Sequence, residues 1–312
     1  MPAGLLEHLA TETRDVTEKS AIPLDYSLQL EASFVRVSMT KEYLTCVGKV
    51  EGVTDKTLDC ISAEFDRQDT RLNDAIQLPV SSDEIKRISA ECVHRSGFDE
   101  ACVFMCGTRG LYRSGGVLGD PRDCDNGFYA YAVPYYYVVP RECVETGAHI
   151  WIAETRRAPN SAIDQTVKNF NRMDLTKGTF EALDHGADAA VLLSIDGHVA
   201  EGAGFNIWIV RGKTLLTPGD NLLEGITRRT VFDLAKEMGM EAKTANLKPQ
   251  ELIEAQEAFL STTAGGIVPV TRVNDRPLGN GAAGLLTTNI RNRYWDRRRA
   301  GWHGTTVDSL IN

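Results

Sequence analysis

Lys168 follows Val167 in the run Ala162-Ile163-Asp164-Gln165-Thr166-Val167-Lys168-Asn169-Phe170, whose flanks predict burial. A buried lysine gives up its proton easily, and a neutral amine is what imine chemistry requires. Glu201 ends a strand-like stretch against Gly202. Buried, such a carboxylate suits a pyridine nitrogen. Two further segments have the makings of anion cups. Gly225-Ile226-Thr227 opens a helical pattern, where unpaired N–H groups and the positive end of the dipole favour phosphate. Ser261-Thr262-Thr263-Ala264-Gly265-Gly266 sets three hydroxyls beside glycines that allow close backbone approach. Taken singly, these patterns also describe an exposed lysine, a turn carboxylate, a helix cap and a hydroxyl-bonded turn. Taken together, the two cups suit one phosphate monoester held without a metal.

Other chemistries lack their templates. The chain has no G-x-x-x-x-G-K-[ST], no H-E-x-x-H and no G-x-S-x-G, and Gly202-Ala203-Gly204 lacks the third glycine of a dinucleotide loop. Seven cysteines, all in the first half, include no C-x-x-C, and the six histidines are scattered singly. A zinc site therefore has no support, and free, reduced thiols filling a core are expected.

The elements that must carry the four segments are legible. Ser81 and Glu84 have capping-box spacing at the head of a helix that Gly97 ends, with Ile85, Ile88 and Cys92 on one face. An apolar run, Ala101–Cys106, leads into a Gly-rich loop from Thr108 to Gly127, and Tyr129–Val139 reads as a long strand whose rings could wall a pocket or pack a core. His149–Thr155 is the next strand. Ala190–Ile195 and His198–Ala200 flank Asp196-Gly197, a type I′ hairpin signal; Phe205–Val210 and Thr214–Thr217 flank a second turn. Helices are expected from about Thr227 to Met238, after Pro249 and over Asn289–Arg299, with a short buried strand at Ala258–Thr262. Strands joined by hairpins argue against a doubly wound parallel sheet in the second half.

A chain of 312 residues suits one large or two ordinary domains. Its 34 basic against 43 acidic residues give a net charge of −9, which argues against nucleic acid or an anionic membrane as partner. No apolar run approaches the roughly 18 residues of a membrane span, and the N-terminus lacks a signal-peptide core. A cytoplasmic location is the expectation. The division expected is a polar extension over 1–25, a small domain over 26–140, a connector over 141–147 and a larger domain over 148–312.

The segments, in this order, resemble fold-type IV pyridoxal-phosphate enzymes: branched-chain aminotransferases, D-amino acid aminotransferases and aminodeoxychorismate lyases, with the nearest likeness to (R)-selective amine transaminases. Arg156-Arg157-Ala158-Pro159 leads to Val167-Lys168-Asn169-Phe170 and Asp174-Leu175. Ala200-Glu201-Gly202-Ala203-Gly204-Phe205-Asn206, Gly225-Ile226-Thr227-Arg228-Arg229 and Thr262-Thr263-Ala264-Gly265-Gly266-Ile267-Val268-Pro269 follow. The likeness runs from about Ser81 to Arg293.

What the resemblance implies is an α+β or α/β two-domain fold, a small α/β domain before a larger barrel-like one, in a homodimer. Lys168 is then the catalytic lysine that holds pyridoxal 5'-phosphate as a Schiff base and shuttles the proton. Glu201 pairs with the pyridinium. Gly225, Ile226, Thr227 and Thr263 hold the phosphate with Thr262 beside it, and Phe205 and Asn206 complete the cofactor site. Arg109, in Thr108-Arg109-Gly110, falls at the family's substrate-loop arginine, and Arg172 and Ala264 join it on the substrate side. The reaction implied moves an amino group from a primary (R)-amine to a keto acid such as pyruvate. The alternatives are a branched-chain or D-amino acid aminotransferase, a lyase on the same cofactor, or a catalytically impaired relative. Three stretches depart from the pattern. Cys60 and Ala63 stand where the family has a histidine and a phosphate-binding arginine, with Arg67, one helical turn on, or else Arg71 as the substitute, Arg67 being the choice. Ser38-Met39-Thr40-Lys41 replaces an Asp-Leu-Thr-Tyr stretch, and Arg172 replaces an aromatic.

Overall fold

Two sheets organise the residues that the computed structural model describes, which are 41–48, 57–59, 78–114, 119–302 and 304–311. The first has five strands. β1 (Lys41–Gly48), β2 (Thr57–Asp59), β3 (Ala101–Tyr112) and β4 (Cys124–Pro134) come early in the chain, while β14 (Gly304–Thr306) returns from its far end to pair with β2. The order is β14-β2-β1-β3-β4, antiparallel throughout.

Helix α1 (Ser82–Ser96) packs on this sheet. Ser81 caps it, its hydroxyl accepting the Glu84 N–H at 3.2 Å, and Gly97 ends it at φ +68°. Its buried stripe is Ile85, Ser89, Ala90 and Val93, rotated from the expected face, so that Ile88 and Cys92 are only half-buried. The small Ser89 permits the rotation: its hydroxyl returns to the Ile85 carbonyl at 2.8 Å and meets Met105 Sδ at 3.2 Å.

The expected glycine-rich loop is instead the head of a β3–β4 hairpin. Pairing runs from Ala101↔Pro134 to Tyr112↔Cys124, with a bulge between Thr108 and Leu111. Gly110 sits in that bulge at φ +65°, where an added Cβ would lie 1.7 Å from the Asp125 carbonyl oxygen. β4 thus begins before Tyr129 and ends at Pro134, short of the expected Val139. Its partner β3 starts at Ala101; past it the Tyr135 N–H meets the Glu100 carbonyl at 3.1 Å, and Val138 turns to the Ala264 carbonyl instead.

The second sheet closes on itself. After α2 (Cys143–Thr146) come β5 (Ala148–Arg156), α3 (Met173–Asp184), β6 (Ala189–Leu193), β7 (Val199–Gly202), β8 (Phe205–Arg211) and β9 (Thr214–Thr217). Then follow α4 (Ile226–Glu237), β10 (Glu241–Thr244), α5 (Pro249–Ile253), β11 (Glu257–Thr262), β12 (Gly266–Val273), β13 (Arg276–Pro277), α6 (Leu285–Arg299) and, past β14, α7 (Asp308–Ile311). β8-β11-β12-β5-β6-β7 form a ring because β7 pairs back to β8 through Glu201↔Asn206. The fold is therefore mixed α/β around a closed six-strand barrel, which leaves those strands no open edge.

Alternation fills both faces of this barrel. Ile150, Val191, Val199, Ile207, Leu260 and Val268, one from each strand, meet in a single cluster inside it. The intervening Trp208, Phe259 and Ile267 point outward to Val231 and Leu234 of α4 and Ile290 and Tyr294 of α6. Leu175 and Ala182 of α3 cover Ala153 and Leu192. Strands buried on both faces read as continuous apolar runs, as 189–193 and 207–210 do.

The β6–β7 turn departs from the type I′ reading. Ser194 closes it with Gly197 N–H donating to its carbonyl at 2.9 Å, and only Gly197, at φ +81°, has a positive φ. Asp196 stays in the ordinary region because a type I′ turn needs two such residues, and a side chain there is costly.

Candidate active site

The barrel end formed by β7, β8 and β11 opens into a cleft of about 800 Å³, partly open to solvent. Ten of the residues expected at the site line it: Lys168, Arg172, Glu201, Phe205, Asn206, Gly225, Ile226, Thr227, Thr262 and Thr263. The segment bearing Lys168 is irregular, spanning from β5 to α3, and Lys168 itself is half-buried rather than enclosed. Val167 packs on the α1 core cluster and also lines the cleft beside Lys168.

Glu201 is buried at the end of β7, 4% exposed. Its Oε1 accepts from Arg157 Nε and Nη2 at 3.1 and 3.0 Å, and its Oε2 accepts the Leu223 N–H at 3.0 Å. Burial pushes the carboxyl above its ordinary pKa, and the Arg157 charge and the Leu223 N–H draw it back down. Oε1 is filled by the two guanidinium bonds, and Oε2 keeps acceptor capacity for a donor placed in the cleft.

The 225–227 cup is an uncapped helix start. Gly225 is the N-cap of α4 with no side-chain cap, the first turn has no acidic residue, and Arg228 and Arg229 stand in it. A first turn of cations opposes the dipole unless an anion sits against it. Asn206 braces the approach, Nδ2 donating to the Leu223 carbonyl at 2.8 Å, and a Cβ on Gly225 would come within 2.5 Å of Asn206 Oδ1.

In the second cup two of the three hydroxyls are already committed. Ser261 Oγ accepts Trp208 Nε1–H at 3.0 Å. Thr262 Oγ1 donates to the Gly204 carbonyl at 2.8 Å and accepts the Ala264 N–H at 3.1 Å. Thr262 thereby ties two turns of the cleft floor together. The hydroxyls of Thr227 and Thr263 enter no hydrogen bond among the described residues and line the same cleft.

Two expected positions fall elsewhere, and a third lies outside the described residues. Arg109 lies in the β3 bulge and does not line the cleft; it adds attraction to Asp120, whose carboxyl is held at about 2, chiefly by its bond to Arg122. Ala264 is buried beside the cleft without lining it, its carbonyl accepting the Val138 N–H. Arg67, with Cys60 and Ala63, lies outside the described residues. The tyrosines of β4 form neither core nor cleft wall: Tyr129 and Tyr131 are half exposed.

Sequence reasoning missed Arg157, Gln165 and Asp174 as a unit. The Arg157 guanidinium, 4% exposed, also donates to Asp174 Oδ2 at 2.6 Å and to Gln165 Oε1. The available signal was the Arg156-Arg157 pair closing a strand, since successive residues there point to opposite faces. Cys143 shows the opposite, inert case: burial first, then Asp188, pushes its thiol up to about 12.

A lysine, a buried carboxylate and an uncapped helix start around one barrel-end cleft define an amino-group-transferring site. The comparisons agree. The profile described as amino-transferase class IV matches residues 65–273. The putative branched-chain-amino-acid aminotransferase of Methanocaldococcus jannaschii is 31% identical over 258 residues, 80% of this chain and 87% of the relative. The crystal structure of Escherichia coli branched-chain amino acid aminotransferase aligns with a TM-score of 0.76 at 24% identity, covering 83% of this chain and 85% of that one. The structure of the Thermobaculum terrenum enzyme in its PLP form aligns with a TM-score of 0.75 at 23% identity, covering 86% and 89%. The chain belongs to the class IV aminotransferase family and is an aminotransferase. Among the described residues no helix is long and apolar enough to cross a membrane, and no cluster of metal-ligating side chains occurs.

Proposed function

We propose that the protein is a pyridoxal 5'-phosphate transaminase that moves the amino group of a branched-chain amino acid to a 2-oxo acid. The observation that carries this reading is the single cleft around Lys168, Glu201 and the bare start of α4. These residues fit the cofactor: two uncommitted hydroxyls and free N–H groups suit a phosphate dianion, and a buried carboxylate suits a ring nitrogen. Ile226, Thr227 and Thr263 hold the phosphate, Gly225 lets it approach, and Thr262, Phe205 and Asn206 shape the floor. When bound, the cofactor supplies an electrophilic carbonyl carbon and a ring that withdraws electrons. Lys168 Nζ would hold the cofactor's carbonyl carbon and, once the donor amine is in place, would move the proton at the donor's α-carbon. Arg172 is half-buried on the wall, and its guanidinium makes no ion pair among the described residues, so it can receive the substrate carboxylate. Val167, Leu175, Leu223 and Ile226 offer an apolar lining for an aliphatic side chain.

The M. jannaschii relative supports this branched-chain reading over the (R)-amine reading expected from the sequence. A substrate panel decides between them. L-leucine, L-isoleucine or L-valine with 2-oxoglutarate is expected to yield glutamate. Acetophenone from (R)-1-phenylethylamine and pyruvate, with no turnover of the three amino acids, would reverse the assignment. The partner proposed for the exposed Leu111, Tyr129 and Tyr131 of the β3–β4 hairpin is a second copy of the chain. Sedimentation equilibrium is expected to give twice the 34.3 kDa chain mass, and a monomer at micromolar concentration would refute it.

A further inference from the structure

The buried Arg157 guanidinium lies between two carboxylates, making four hydrogen bonds to Glu201, Asp174 and Gln165. Asp174 is itself fixed: Oδ2 also accepts the Ala158 N–H at 2.8 Å and Oδ1 accepts the Leu175 N–H at 2.8 Å. Gln165 is 2% exposed, and its Nε2 donates to the Ala158 carbonyl at 3.0 Å. Two carboxylates against one guanidinium leave one negative charge in excess, in a place where side chains are 5–13% exposed. Such an excess is costly unless a cation joins it. The other charged groups around Glu201 are Arg172, which attracts it, and Lys168 and Glu224 on the cleft wall.

We propose that Asp174, acting through Arg157, is a positioning residue that draws guanidinium charge away from Glu201 and so keeps a proton on the cofactor's ring nitrogen. This rests on the pyridoxal-phosphate reading above. Were Asp174 absent, Arg157 would give its whole attraction to Glu201, the pair would be neutral, and the ring proton would be held less firmly. Were a further carboxylate set on Arg157, the proton would be held more firmly. The geometry thus makes a charge series on Arg157, in which Gln165 and Arg157 line the cleft and Asp174 lies outside its lining.

The experiment loads the holoenzyme with pyridoxal phosphate labelled with ¹⁵N at the ring and follows the ring-nitrogen shift against pH. Asp174→Asn is expected to lower the deprotonation midpoint by about one pH unit, the effect of one charge through protein of effective dielectric about 20. Gln165→Glu is expected to raise it. A packing role for Asp174 would not order the midpoints as Asp174→Asn, wild type, Gln165→Glu, and either variant decides if the other does not fold. Coincident midpoints in cofactor-loaded proteins overturn the proposal alone. A wild type that takes up no pyridoxal phosphate overturns the functional reading and this inference together.

Discussion

Replacing Lys168 by alanine is expected to cut amino-group transfer by about 10⁴-fold, the upper range for a positioned proton-transfer group. The loss arises because, among the described residues, no other amine lines the cleft to hold the cofactor and carry the proton at the substrate's α-carbon. Cofactor uptake is expected to survive, since the start of α4 and Glu201 are untouched. Lys168 is half-buried on an irregular segment, so its truncation removes little packing. The measurement is single-turnover absorbance with L-leucine, paired with borohydride reduction and mass spectrometry. The wild type is expected to carry a reduced adduct on the peptide containing Lys168, and the variant none. A variant retaining a tenth of the wild-type rate would place the proton transfer on another residue.

Arg157→Ala is expected to destabilise the protein by about 3–5 kcal/mol, because it leaves two carboxylates facing one another without their counter-charge. The sign of its pH dependence follows from Glu201. Burial already raises that carboxyl above its ordinary value, and removing Arg157 raises it further. A carboxyl with a folded pKa above its unfolded pKa binds more protons in the folded state. Its stability contribution is complete below the unfolded pKa and is lost as pH rises through the folded one. Urea midpoints should therefore differ from wild type least near pH 5 and most near pH 8. An equal deficit at both pH values would mean that lost packing, not charge, explains the damage.

The site was legible in the sequence where one residue type at one spacing carries the chemistry. Lys168 after an apolar neighbour, Glu201 before a glycine and the Gly225-Ile226-Thr227 start of a helix all reach the same cleft. What escaped is partnership. Arg157 meets residues 8, 17 and 44 positions away, and no local pattern says which of two adjacent arginines turns inward. The Ser261-Thr262-Thr263 run shows the same limit from the other side. Its three hydroxyls look equivalent in sequence, yet Trp208 of the neighbouring strand and Gly204 of the β7–β8 turn claim two of them. The hairpins of the second half were readable from turn residues, but the ring closure depends on parallel β12–β5 and β5–β6 pairing, which no turn announces. The length of β4 escaped because a strand ends where its partner does, and alternation says nothing about the partner.

The position of β14 has a consequence for the order in which this molecule can be made. A ribosome releases β1 to β4 early, yet the strand that covers β2 lies at Gly304–Thr306, beyond the whole barrel. Val307, 1% exposed, fills the same cluster as Ile85, Val93 and Met105, so the residue just after β14 is also core. Until it emerges, the nascent first sheet presents a bare edge and an open hydrophobic hollow, the conditions under which neighbouring polysomes cross-pair. The barrel, by contrast, has all six of its strands by Val273 and can close first. Synthesis therefore runs the assembly backwards: the part translated second supplies the finished scaffold, and the part translated first waits to be clasped.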